Sequence, residues 1–232
     1  MQRIRSLLDG VVTLAVPLAL IGAALRLILL PSYLQVEYAM PYFPPDEYGF
    51  TTDERLQWAT RAWNYLVNTS DESYLADLTF PDGSPVFNER EVVHMRDVQG
   101  VVGGALSAWY AALAVIAAVG LLWWRVGRLH DFRQSIRLGG WMTIGLSALI
   151  GTIVAVGMVA DPNVFWEFFT IFHGLFFEGD SWLFAYSDTL IRLFPIRFWQ
   201  DTFLCAALIV LGGGLALALG LREPPSPSAR SS

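Results

Sequence analysis

Residues 101–137 read VVGGALSAWYAALAVIAAVGLLWWRVGRLHDFRQSIR. From Val101 to Trp124 there is no charged side chain, and the link that follows carries Arg125, Arg128, Arg133 and Arg137. An apolar run of about 20 residues crosses ~30 Å of hydrocarbon at ~1.5 Å per residue. A short arginine-rich link beside such a run stays on the cytoplasmic side. The stretch therefore predicts a membrane span whose C-terminal end lies in the cytoplasm.

Three more runs have the same character: 11–30, broken only by Arg26, then 138–160 and 202–221. The first resembles a signal peptide in having Arg3 and Arg5 before it. It is longer than the 7–15 residues typical of such a segment, and no small-x-small cleavage site follows, so it reads as a retained span. All 15 basic residues are arginine. The N-terminus, the 125–137 link and the segment after 221 hold eight of them against Asp9, Asp131 and Glu223. Loops 31–100 and 161–201 hold 18 of the 21 acids. The expectation is a single all-α membrane domain, 1–232, with four transmembrane helices and both termini in the cytoplasm.

The remaining composition narrows the function classes. The chain is 54% hydrophobic and 16% charged, against roughly 25% charged in a soluble domain. Its net charge of -6 comes mostly from the two acidic loops and leaves no basic stripe for nucleic acid. Cys205, the single cysteine, falls in the fourth run, so neither a disulfide nor a thiolate metal site is expected. It also lies far from the N-terminal position that a lipidated lipoprotein needs.

Loop 31–100 is too long for a simple turn and reads as a helical extracytoplasmic domain. Pro31 to Pro45 is rich in Pro and Tyr and reads as an extended stretch over the membrane surface. Thr51-Thr52-Asp53-Glu54 opens a helix running to about Val67, with Leu56, Ala59, Trp63 and Leu66 at helical spacing. Phe80 to Pro85 has turn composition. Asn88 and Glu91 form a capping-box pattern, and the helix they open meets no breaker before Gly100, so it continues into the second span. In loop 161–201, the aromatic run 164–177 is too short to span and reads as interfacial or re-entrant. Thr189–Trp199 reads as a second short amphipathic piece. The tail 224–232 has a disordered, Pro/Ser-rich composition. Two small-residue rows, Gly100/Gly104/Ala108 and Ser147/Gly151/Ala155, together with Gly212-Gly213-Gly214, read as close helix packing.

Two histidines stand out, both on the extracytoplasmic side. On a helix, Glu91 and Asp97 each lie three residues from His94, close enough to hold its imidazole as a base. His173 sits in Phe172-His173-Gly174, where partial burial favours the neutral ring. The plain alternative for each is an amphipathic residue at the membrane boundary. His94 and Asp97 could also share a metal, but without a His-x-x-x-His pair or cysteine ligands no metal is expected. Arg26 reads as a residue snorkelling to the headgroups or pairing there with an acid or a lipid.

Four spans, the stretch Phe87-Asn88-Glu89-Arg90-Glu91-Val92-Val93-His94-Met95-Arg96-Asp97-Val98, and Phe172-His173-Gly174-Leu175-Phe176-Phe177 with Asp180 and Trp182 resemble one bacterial integral-membrane family. It is that of the lipoprotein intramolecular transacylase, Lit, and the resemblance covers essentially the whole chain. It implies transfer of an acyl chain from the glycerol of a diacylglyceryl-cysteine lipoprotein to that cysteine's own α-amino group. The partners would then be diacylglyceryl-modified lipoproteins and membrane lipid, with no cofactor and a site facing the extracytoplasmic side of the cell membrane. His94 and His173 match the family's two histidines, and His94 is the expected base, oriented by Glu91 or Asp97. His173, Arg96 or a Tyr or Trp side chain would serve as oxyanion donor. Asp180 and Trp182 would support the site, while Arg26, Phe172, Phe176 and Phe177 would hold substrate. Two other readings remain open: a hydrolase or transferase acting on another lipid-linked substrate, and a non-enzymatic accessory protein.

Overall fold

The computed structural model describes residues 2–161 and 163–221, so the expected disordered tail at 224–232 lies outside the described residues. Among the described residues the chain is helical, with one isolated β-bridge between Thr79 and Pro85. The helices are α1 (Gln2–Ile28), α2 (Pro31–Tyr38), α3 (Thr52–Tyr65), α4 (Ser73–Ala76), α5 (Glu89–Arg125), α6 (Leu129–Ala160), α7 (Val164–Phe176), α8 (Thr189–Leu193) and α9 (Ile196–Gly220). Four of them, α1, α5, α6 and α9, are long and apolar enough to cross a membrane. At 37 residues α5 is about 55 Å long. That exceeds the ~30 Å of hydrocarbon, and its polar first turns, 89–100, precede the apolar stretch.

Contacts divide the chain into two compact units, to which α1, α5, α6 and α9 all contribute. The first is built from residues up to Ala24, Ala108–Ile153 and residues from Ala207 onward. Its helices approach through glycine. A Cβ on Gly140 would come within 2.8 Å of the Gly214 carbonyl and the Ala218 amide, and one on Gly213 within 2.6 Å of Leu20. The row Gly100/Gly104 and Gly151 behave otherwise, with nothing within 4 Å of the added carbon. Spacing alone marks a narrow face without saying which neighbour, protein or lipid, it meets.

The second unit, Leu25–Ser107 with Val154–Ala206, contains the larger apolar core. Leu34, Ala59, Ala62, Tyr65, Leu75, Leu193 and Phe198 are fully enclosed there. Helix α3 opens on a full capping box between Thr51 and Glu54. Its Arg55 is buried, donating to the carbonyls of Pro44 (2.7 Å) and Arg192 (2.6 Å) while lying over the Phe43 ring. Arg192 in turn grips Asp46 through two hydrogen bonds, 3.1 and 2.9 Å. A pair this well enclosed contributes more than a surface ion pair. Gln99 on α5 donates to the carbonyl of Tyr65 at 2.8 Å, joining α5 to the end of α3.

Two local expectations are corrected. Pro31 starts a helix instead of an extended stretch, because proline at the first helical position gives up an N–H that would be unbonded anyway. Burial of Leu34 and Tyr38 then holds α2 in place. The piece 189–199 is not one helix either: Pro195 divides it into α8 and the start of α9, which begins at Ile196 instead of 202.

The glycine contacts give a direct test. Gly140→Ala should lower the thermal midpoint in detergent by the equivalent of about 1–3 kcal/mol, since two backbones must separate. Gly145→Ala, with open space around its added carbon, should show no loss.

Candidate active site

Asn88 and Glu91 set the start of α5 as the capping pattern predicts. The Asn88 side chain accepts from the Glu91 amide (3.1 Å), and a Glu91 carboxyl oxygen accepts from the Asn88 amide (2.7 Å). One turn further on, His94 is buried, 8% exposed. His173 comes from the last turn of α7 and is 9% exposed. The two imidazoles face each other with ring centres 6.3 Å apart and planes 22° from parallel.

Aromatic rings enclose the pair. Phe177 lies 4.9 Å and Phe184 5.3 Å from His94, ring centre to ring centre. Phe169 at 4.0 Å, Trp182 at 4.6 Å and Phe172 at 5.7 Å surround His173. Such walls disfavour a charged imidazolium. Burial, then the neighbouring His173, pushes the His94 pKa down to about 4, against a smaller opposing pull from Asp97. Burial also lowers His173, partly offset by its hydrogen bond to the Phe169 carbonyl. That bond, 2.8 Å from Nδ1, decides the tautomer. A carbonyl oxygen only accepts, so Nδ1 carries the proton and the neutral ring presents a free lone pair at Nε2. His94 is different: its Nδ1 is buried and has no partner among the described residues.

The expected helpers divide. Phe177, Phe172 and Trp182 touch the pair, while Phe176 packs on Phe172 and remains 48% exposed. Glu91 makes no hydrogen bond to His94. Its second carboxyl oxygen accepts from the Leu190 amide at 2.6 Å, and burial raises its pKa to about 7. The reason is positional: a buried backbone N–H at the start of α8 needs an acceptor. Asp97 is turned to Arg96 (3.5 Å), and Arg96 to Glu72 (3.2 Å), and neither bonds a histidine. Asp180 takes part through its backbone carbonyl, which accepts from Arg90 at 3.1 Å. Arg26, in the last turn of α1, is half-buried and pairs with no acid among the described residues. No three His, Cys, Asp or Glu side chains there form a metal-ligating group, so His94, Asp97 and His173 do not constitute one. Phe169 belongs to the aromatic run 164–177 but was not singled out, and Phe184 was not anticipated. Phe169 was discoverable, lying one helical turn before His173; Phe184 follows only from the tertiary fold.

A four-span helical membrane protein with two neutral imidazoles enclosed by aromatic rings is thus defined by its fold and its site. Residues 11–199 match the model of the lipoprotein intramolecular transacylase Lit, and the chain belongs to that family. An uncharacterized protein of Aquifex aeolicus (strain VF5) is 29% identical over 94% of both chains. The solved structure of Lit from Bacillus cereus superposes with a TM-score of 0.65 at 17% identity, over 94% of each chain. A histidine-to-arginine variant of that enzyme gives 0.67 at 17% identity, over 95% of this chain and 92% of that one. These structures establish the shared fold. Family membership supports lipoprotein transacylation in general terms, in a multi-pass membrane protein.

The depressed imidazole has a measurable consequence. In the unfolded chain a histidine takes up its proton near pH 6.5, whereas His94 does so only near 4 in the fold. Between those values the unfolded state binds more protons, so acidification removes stability. Glu91, raised to about 7, acts in the opposite direction. The informative quantity is therefore the difference between proteins: from pH 6.5 down to about 4, the thermal midpoint of the parent chain should fall more steeply than that of His94→Ala. Parallel curves would contradict the assignment.

Proposed function

We propose that the chain transfers an acyl chain from one glycerol ester of a diacylglyceryl-cysteine lipoprotein to the α-amino group of the same cysteine. The product is an N-acyl, S-monoacylglyceryl lipoprotein, formed on the extracytoplasmic side of the membrane. The observation that carries this reading is the facing pair of neutral imidazoles, in a chain of this family.

Aminolysis forms a C–N bond, breaks a C–O bond, and moves one proton from nitrogen to the departing glycerol oxygen. His173, with its tautomer set by the Phe169 carbonyl, is the better base, because Nε2 holds the free lone pair. His94 faces it and can relay the proton to the glycerol oxygen. Trp182 adds an indole N–H donor to the same cluster, the type of group that stabilises an oxyanion. Both reacting groups belong to one substrate, so binding alone brings them together and no external acyl donor is needed. The apolar face of α7, with Ile171 and Leu175 well exposed, suits acyl chains or membrane lipid. An aromatic enclosure that limits water favours transfer to an amine over hydrolysis of the ester.

Co-expression with a reporter lipoprotein, in a host lacking N-acylation, tests the reaction by mass spectrometry of the N-terminal lipopeptide. The parent chain should yield the N-acyl, S-monoacylglyceryl form, and His94→Ala or His173→Ala should reduce it by about 100-fold or more. Undiminished conversion in both variants would remove the histidines from the mechanism. Sidedness has its own check in a Cys205→Ser background. An impermeant maleimide should label a cysteine at position 84 in intact cells, and one at position 134 only after permeabilisation.

A further inference from the structure

We propose that Arg90 and Glu91 are positioning residues: from α5 they fasten residues 180–190 as a strap across the histidine pair. The kinetic part of this proposal rests on the transacylase reading; the geometric part does not.

Residues 180–188 form no helix or strand. Within the segment the bonds are local, such as the Leu183 amide to the Asp180 carbonyl and the Ala185 amide to the Asp188 carboxylate. Leu183 is exposed, and Tyr186 is 82% exposed. Two rings turn inward instead, Trp182 onto His173 and Phe184 onto His94. Apart from these two rings and Leu190, which joins the core, the segment has no regular structure of its own to resist opening. Yet those two rings supply much of the enclosure that keeps the imidazoles neutral.

The fastening comes from consecutive residues on one helix, which point about 100° apart and so reach different parts of the strap. One Arg90 nitrogen donates to the carbonyls of Asp180 (3.1 Å) and Leu183 (3.0 Å), and the guanidinium lies near the Phe184 ring, 6.0 Å from its centre. Glu91 takes the far end through the Leu190 amide at 2.6 Å. The guanidinium's hydrogen bonds are charge-assisted, the strong kind, and every acceptor or donor on the strap is backbone. The tie therefore does not depend on which side chains the strap carries. It also uses the turn of α5 immediately before His94, so strap and imidazole share one frame. The titratable groups facing the pair are Asp97 and each histidine for the other, while Asp188 faces Glu91.

Loosening the tie would admit water to the imidazoles and displace Trp182. Arg90 is exposed, so Arg90→Ala should fold; Glu91→Gln keeps the shape but replaces an acceptor oxygen with an NH2 group facing an N–H. In lipid nanodiscs, hydrogen exchange of amides 180–190 should quicken about tenfold or more in both variants, with the apolar part of α5 unchanged. With a diacylglyceryl lipopeptide, kcat should fall about 10–100-fold with KM within about threefold. The acid limb of the kcat–pH profile should move up towards ~6.5. Arg90→Lys should recover part of the rate, and Glu89→Gln should change neither readout. Unchanged exchange in both variants overturns the tie. Faster exchange with parental kcat and an unmoved acid limb overturns the positioning role. Absence of turnover by the parent chain itself counts against the transacylase reading, and exchange then decides the tie alone.

Discussion

The carboxyl group of Glu91, 1% exposed, is held between the backbone amides of Asn88 and Leu190. Both amides are helix-start donors that the helices themselves leave unbonded. One carboxyl thus begins α5 and joins it to the start of α8, which is distant in sequence. His94 follows one turn later, at a depth and rotation set by that start. The segment between α7 and α8 is drawn over it by the same connection. A buried carboxyl without these amides would be costly, and the amides without it would be orphaned. The arrangement is stable only as a whole.

The site obtains its chemistry from enclosure more than from charge. Among the described residues no carboxylate hydrogen-bonds either imidazole, and the groups packed on them are rings and one backbone carbonyl. The carbonyl selects a tautomer without adding a charge, leaving a lone pair at Nε2 at neutral pH. Aromatic walls also suit the proposed substrate, whose mass is mostly hydrocarbon. Membership in the lipoprotein intramolecular transacylase family and the arrangement of this pair support the same chemistry.

Much of this was legible in the sequence, and the reasons are local. Four long apolar runs, three of them uncharged and the first broken only by Arg26, announced α1, α5, α6 and α9, since length and apolarity suffice for that inference. Asn88 and Glu91, three residues apart, announced their capping box, and both histidines were singled out by their neighbours. What escaped notice needs the third dimension. The second partner of Glu91 lies 99 residues away, and Arg55 reaches carbonyls on two other segments. Asp97 had the right spacing to serve His94 but turns to Arg96. Helical spacing restricts which side chains can meet without determining which do. Pro31 was misread because proline marks both the end of one helix and the start of another.

The central claim is that the pair moves an acyl chain within a single substrate molecule. Two diacylglyceryl lipopeptides of different peptide mass, one carrying deuterated acyl chains, can be mixed with the purified protein and analysed by mass spectrometry. The account predicts that each N-acylated peptide retains its own isotopic label and that little free fatty acid forms. Exchange of label between the peptides, or fatty acid as the main product, would contradict it.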